Sequence, residues 1–449
     1  MGIDTVRTGT ADETAALRRE QRGWYVYDWA CSVYSTSVLT VFLGPYLTAV
    51  AERAADSDGY VHPLGVPVRA GSFFAYSVSL SVILAVVLMP LVGSAADRAG
   101  RKKPLLAAAA YTGAAATTGM FFLDGDRYLL GGVLLVVANA AQSVGMMLYN
   151  SYLPQIAPPE ERDAISSRGW AFGYAAGSSV LVANLVLYSA HGSFGLTETA
   201  AVRICLAAAG LWWGAFTLVP LRRLRDRHAR VERAPAAPGL RQLAATVADM
   251  RRRPLTLAFL LAYLIYNDGI QTVISQASIY GSQELGLGQS TLIAAVLLVQ
   301  VLAVAGALAM GRLARTYGAQ RTILGSLVAW TLTLAAGYFL PAKAPVWFFV
   351  LASGIGLVLG GSQALSRSLF SHLVPPGKEA EYFSAYELSD RGMSWLGPLL
   401  FGVTYQLTGS YRSAIISLVA FFVIGFALLA RVPVRRAIAE AGNPVPEKI

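Results

Sequence analysis

Residues 93–103 read GSAADRAGRKK, and residues 311–321 read GRLARTYGAQR. Gly93, Arg98, Gly100 and Lys103 stand at the spacings of Gly311, Thr316, Gly318 and Arg321. A second pair lies at nearly the same offset: Pro158-Pro159-Glu160-Glu161-Arg162-Asp163-Ala164 answers Pro375-Pro376-Gly377-Lys378-Glu379-Ala380-Glu381. Each copy sits between long apolar segments. The chain therefore contains one helical unit twice, and duplicated membrane halves place a site at the plane where they meet.

The 449 residues are 55% hydrophobic and only 14% charged, with a mean hydropathy of +0.51. Soluble domains carry roughly 25% charged residues, so most of this chain faces lipid. Twelve apolar spans fall near 24–50, 72–96, 104–123, 128–156, 166–190, 199–221, 255–283, 289–312, 321–340, 345–374, 380–407 and 411–432. Each can supply the ~20 residues that a bilayer core needs. Backbone in hydrocarbon must satisfy its own hydrogen bonds, and long runs without strand alternation exclude a barrel, so the spans are helices. The fold class is all-α, in two pseudo-symmetric halves of six helices: 24–221 and 255–432. A segment 1–23, a linker 222–254 and a tail 433–449 flank them.

The net charge of +10 does not indicate nucleic acid, because it is confined to alternate loops. Arg222, Arg223, Arg225, Arg227, Arg230, Arg233, Arg241, Arg251, Arg252 and Arg253 crowd the linker, and Arg98, Arg101, Lys102 and Lys103 fill one short loop. The opposite loops hold few cations: Arg53, Arg69, Arg127 and Lys343. This bias puts the 93–103 loop, the linker and both termini in the cytoplasm of a multi-pass protein of the plasma (inner) membrane. Residues 1–22 are polar, so no cleavable signal peptide is expected. Cys31 and Cys205 both lie in apolar spans and read as reduced packing residues.

The loop Gly93-x-x-x-Asp97-Arg98-x-Gly100-Arg101-Lys102 joins two helices by a short reversal, which needs glycine geometry. An acid at that place can dock on the N-terminal dipole of a neighbouring helix. The motif in this position resembles the signature loop of the major facilitator superfamily. That resemblance implies a fold of twelve transmembrane helices, and that Asp97 latches a cytoplasmic gate. The second copy, Gly311 to Gly318, carries Arg315 in place of the acid, so its latch is expected to be weaker or absent. Three further segments carry a closer likeness: Trp24-Tyr25-Val26-Tyr27-Asp28-Trp29-Ala30-Cys31-Ser32, Ala262-Tyr263-Leu264-Ile265-Tyr266-Asn267-Asp268-Gly269-Ile270-Gln271-Thr272, and Gly360-Gly361-Ser362-Gln363-Ala364-Leu365-Ser366-Arg367-Ser368-Leu369-Phe370. Together they resemble the branch related to autophagy-associated vacuolar amino-acid effluxers. The resemblance implies solute export by alternating access, with amino acids as the first substrate class.

Ionisable side chains at bilayer depth cost at least ~2.5–3.5 kcal/mol, so they face a cavity or a partner. Asp28 has Ser32 and Ser35 on its helical face. Asp268 lies about 14 residues, or ~21 Å, into the seventh span, with Gln271 and Ser275 on its face. The eleventh span sets Glu387, Asp390, Arg391 and Ser394 on one face, and Arg367 of the tenth is a candidate partner for these acids. A desolvated carboxylate can take and release a proton as a cavity opens to either side. Its depth makes Asp268 the first expectation for proton coupling, with Asp28 or Glu387 beside it; the acids can instead serve only as packing ion pairs. Sodium could serve as the coupling ion in place of protons. Asn139, Gln142, Ser143, Met146 and Asn150 form a polar stripe that either lines a cavity or holds helices together. Tyr27, Tyr34, Tyr263, Tyr266, Tyr382 and Tyr386 lie near the acids.

The chain has no HExxH motif, no P-loop and no Cys/His cluster, so neither ATP hydrolysis nor a metal or other cofactor is expected. The expected partners are a small polar solute, protons or Na⁺, and the bilayer; the expected state is a monomer. Export of drugs or other amphiphiles is the rival within transport. A membrane-embedded enzyme or a sensor is the remote alternative.

Overall fold

The computed structural model describes residues 11–226, 248–391 and 396–449. Helices occupy nearly all of this, and they form twelve spans in two halves. The first span runs through Ala11–Val33, a π-helical stretch Tyr34–Phe42 and Leu43–Ala54. The others of the first half are Phe73–Ala99, Lys102–Gly119, Tyr128–Asn150, Arg162–Ser189 and Glu198–Arg223. In the second half they are Pro254–Ile279, Gln289–Tyr317, Ala319–Tyr338, Pro345–His372, then Glu379–Arg391 with Leu396–Thr408, and Tyr411–Ser417 with Val419–Arg431. A final short helix, Val434–Glu440, follows.

Ten of the described helical segments are long and apolar enough to cross a bilayer by themselves. The ninth and eleventh spans are not among them, for a physical reason. The eleventh carries Glu379, Glu381, Glu387 and Asp390, and its polar face is turned to protein rather than lipid. The ninth opens on Gln320 and Arg321 and includes several Ser and Thr residues. The first helix is already formed at Ala11, well before the apolar run that begins near residue 24. The long loop after the first span carries a two-stranded ribbon, Tyr60–Val61 paired antiparallel to Val68–Arg69.

The first span packs on the fifth and sixth, and the second and third pack on the fourth. The halves meet where the eighth and tenth spans contact the fifth, and where the eleventh contacts the second and fourth. Small residues permit these approaches. A Cβ on Gly173 would lie 2.6 Å from Ser32 Oγ, and one on Gly306 would lie 2.1 Å from the Leu357 carbonyl oxygen. Both copies of the loop turn on a glycine with positive φ, Gly100 at 59° and Gly318 at 91°, where side chains are strained, although Gly100 is left-handed helical and Gly318 extended in ψ.

Candidate functional site

A cavity of about 610 Å³ lies between the halves. The first span contributes Asp28, Cys31, Ser32 and Ser35, and the fourth contributes Gln142, Met146 and Asn150. Trp170 enters from the fifth span and Tyr263 from the seventh. Gln363 and Arg367 come from the tenth, and Tyr386, Glu387 and Asp390 from the eleventh. One guanidinium and three carboxylates thus face one space.

Arg367 organises it. Its side chain is 1% exposed and pairs with Asp28 across the halves, Nη1 to Oδ2, at 3.4 Å. The same nitrogen donates to Asn150 Oδ1 at 3.2 Å. Nε donates to Ser166 Oγ at 2.9 Å and Nη2 to the Ser166 carbonyl at 2.8 Å. The guanidinium also lies 4.7 Å from the Trp24 ring centroid, with Tyr149 at 5.5 Å and Trp170 at 5.3 Å. Delocalised charge and planarity let arginine stack and donate at once, which a lysine cannot do. Trp24 itself stacks on Tyr149 at 4.3 Å.

The Asp28 carboxylate accepts from the Tyr149 hydroxyl at 2.9 Å and from Ser32 Oγ at 3.3 Å. Asn150 donates to Glu387 Oε1 at 2.7 Å, a second bond across the halves. Asp390 Oδ1 accepts from Tyr263 at 3.0 Å and from Asn267 at 2.7 Å, and Gln363 donates to Asn267 at 2.8 Å. Asp28, Asn150, Arg367, Glu387 and Asp390 are therefore brought together. The partner that Arg367 holds directly is Asp28; it reaches Glu387 only through Asn150. The side chains of Arg391 and Ser394 lie outside the described residues.

Asp268 stands apart. It is 2% exposed but does not line the cavity. Its Oδ2 accepts the Gly397 amide at 2.8 Å, and its Oδ1 has no hydrogen-bond partner. That bond lies on the first turn of the described helix Leu396–Thr408. Gln271 does not line the cavity either.

Most of the other polar bonds between the halves gather at the end that bears the basic loops. Asp97 accepts the amides of Ala380 at 3.2 Å and Glu381 at 2.9 Å, on the first turn of the eleventh span. Buried Lys102 lies 3.3 Å from Asp97 and 3.1 Å from Glu379. A Cβ on Gly93 would stand 2.8 Å from the Ala380 carbonyl oxygen, so the loop rests directly on that helix. Arg162 donates to the Ser371 carbonyl at 2.9 Å. In the second copy Gly311 rests instead on Ser167 of the fifth span, and Arg315 occupies the place of Asp97. Arg98 and Arg101 are exposed. One further contact across the halves, Gln300 to Thr36 at 3.4 Å, lies about two turns beyond Asp28 along the first span.

A family model described as vacuole effluxer Atg22 like matches residues 16–442. The chain belongs to that family. Among relatives, the "Uncharacterized MFS-type transporter YxiO" of Bacillus subtilis (strain 168) is 29% identical over 420 residues, covering 92% of this chain and 95% of that protein. "Autophagy-related protein 22" of Pyricularia oryzae is 25% identical, over 90% of this chain and 74% of that protein. The fold matches the major facilitator transporter FucP in its outward conformation, with a TM-score of 0.67, 13% identity and coverage of 92% and 98%. The chain is thus a multi-pass membrane transporter of the major facilitator superfamily, not an enzyme. Within this member of the Atg22-like family, sequence reasoning passed over Tyr149, Trp170 and Ser166. Tyr149 precedes the polar Asn150 and could have been found from the repeat, because it stands at the same offset from Arg367 as Gly93 does from Gly311.

Proposed function

We propose that this transporter exports small zwitterionic solutes, amino acids first among them, in exchange for protons. The supporting observation is the cavity that sets Arg367 among Asp28, Glu387 and Asp390. A zwitterion presents a carboxylate to the guanidinium and an ammonium to the acids, with the Trp170, Tyr263 and Tyr386 rings beside it. A drug exporter would be better served by an aromatic cavity with a single acid.

Asp28 is the coupling group in this reading. In the conformation described, it and Arg367 bind each other across the halves. A proton on Asp28 cancels its charge and weakens that bond, so the halves can part at the basic-loop end. The solute then enters between the two groups, its carboxylate on Arg367, and Asp28 loses its proton to favour the ammonium. Proton and solute compete for the same pair, which is the requirement for exchange. Asp97 and Lys102 hold the gate closed at the basic-loop end, which the loop charges put in the cytoplasm of a plasma-membrane protein.

The test is uptake by proteoliposomes of the purified chain, offered a mixed pool of labelled amino acids with and without a pH gradient. Gradient-dependent accumulation of a few amino acids, abolished by Arg367→Lys, supports the reading. No accumulation by folded protein removes amino acids from it.

A further inference from the structure

A second opening, of about 340 Å³, lies between the halves at the basic-loop end, outside the central cavity. Its walls include Ser167 and Arg168 of the fifth span, and Leu308, Gly311, Arg312 and Arg315 of the eighth. We propose that this notch binds the phosphate of an anionic lipid headgroup, which closes the second gate as Asp97 closes the first. The inference goes beyond the transport reading and does not depend on it.

The duplicated loops supply the first reason. At the first gate Gly93 lies on the eleventh span and the Asp97 carboxylate reaches across to it. At the second, Gly311 lies as close to the fifth span, 2.5 Å from Ser167 Oγ for a would-be Cβ. There the loop brings Arg315 instead of an acid. Arg168 faces it from the opposite half, with Arg312 beside it. Three guanidinium groups from two halves repel one another unless an anion sits among them. Asp163 interacts with Arg315 and offsets part of the charge; Glu161 stands at the same end of the fifth span.

The second reason is Ser167. Its hydroxyl is buried, the residue being 1% exposed, and has no hydrogen-bond partner. Buried polar groups are rarely left so, and a phosphate oxygen would satisfy it. The third concerns the kind of anion. All three arginines are exposed, so the notch is open outward. One turn deeper on the Arg168 face stands Phe172, 43% exposed, and the eighth span continues through Leu308 to Val301, 55% exposed. Cationic groups above an apolar, exposed strip fit a phosphate that carries acyl chains.

The experiment measures retained lipid by native mass spectrometry on the full chain, taken from nanodiscs of phosphatidylcholine containing a minority of phosphatidylglycerol. The wild type is expected to retain phosphatidylglycerol selectively. Each interfacial arginine strengthens such binding roughly fivefold, so Arg312→Gln with Arg315→Gln retains at least about tenfold less. Arg435→Gln with Arg436→Gln, a charge-matched pair elsewhere on the same end, retains the wild-type amount. Should the double variant not fold, Ser167→Ala decides, and it too must lower retention. Equal retention of both lipids, or equal loss in the control pair, overturns the proposal. Displacement by millimolar inorganic phosphate overturns the lipid assignment, since acyl chains would then contribute nothing.

Discussion

Asp28→Asn tests the coupling reading most directly. Asparagine keeps the shape of the side chain and can still accept from Tyr149, but it cannot carry the charge that faces Arg367. The two side chains are 4% and 1% exposed, so water screens them little. Removing one partner of a buried ion pair costs about 3–5 kcal/mol. Two features here pull the figure down. The contact, at 3.4 Å, is long for a charge-assisted bond, and Arg367 keeps Asn150, both Ser166 oxygens and three rings. A loss of about 2–3 kcal/mol is the reasonable figure.

Because Asp28 belongs to one half and Arg367 to the other, that loss falls on the conformation closed at the basic-loop end. It shifts the balance of conformations by roughly 30- to 150-fold toward opening there. Two measurements follow. Alkylation of Ser94→Cys, a position 3% exposed beside Gly93, should accelerate in the variant, in a background freed of Cys31 and Cys205. Solute exchange without a gradient should persist, while accumulation driven by a pH gradient is lost. Wild-type alkylation together with wild-type accumulation would refute the reasoning, since the pair would then neither hold the gate nor carry the proton.

Asp268→Asn retains an acceptor for the Gly397 amide and should leave gradient-driven accumulation intact. Asp268→Ala strands that amide and should cost about 1 kcal/mol of stability, read as a lower thermal midpoint; accumulation lost in Asp268→Asn but kept in Asp28→Asn would return the coupling role to Asp268. Gly93→Val drives a side chain into the Ala380 carbonyl, 2.8 Å from the would-be Cβ. It should cost about 1–3 kcal/mol and expose Ser94→Cys to alkylation, and an unchanged alkylation rate would count against the latch. Asp249 is raised by partial burial but held below the usual carboxylate range overall by Lys378, at 2.9 Å, and the Tyr382 hydroxyl, at 2.7 Å. A carboxyl lowered on folding contributes stability above its unfolded value, and that contribution is lost as pH falls through the lower folded value. Asp249→Asn should therefore be slightly less stable than wild type at neutral pH, by under about 1 kcal/mol for so exposed a pair. The gap should close below the ordinary carboxylate range, and a gap independent of pH in thermal melts would dismiss the pair.

The architecture was legible because a membrane leaves few options. Apolar runs separated by alternating basic loops allow helices only, and the repeated glycines at 100 and 318 mark reversals that both adopt positive φ. The eleventh span shows the limit of that reading. Its acids would bar it from lipid, and only the packing of its face against the second and fourth spans explains its place. Arg367 was visible as a buried cation, but its partner was not. Asp28 lies 339 positions away in the chain, and nothing in spacing ties the two.

Asp268 shows that depth alone does not put an acid on the cavity wall. Counting residues places it near mid-membrane, which is a sound inference about height. The cavity, however, is a matter of helical face. Aligned on their aromatic pairs, Trp24-x-x-Tyr27-Asp28 of the first span answers Tyr263-x-x-Tyr266-Asn267 of the seventh. The position equivalent to Asp28 is thus Asn267, and Asn267 does join the polar network, through Asp390 and Gln363. Asp268 follows one residue later. One residue turns a helix by about 100°, enough to swing its carboxylate from that network to the second part of the eleventh span, where the Gly397 amide meets it. The duplication therefore kept a place in the polar network in both halves but an acid at that register in only one. A carrier built this way pairs an acid of one half with a cation of the other, while the counterparts by register, Asn267 and Tyr149, carry no charge, so under the proposed mechanism breaking the Asp28–Arg367 pair is an asymmetric event that needs a single proton.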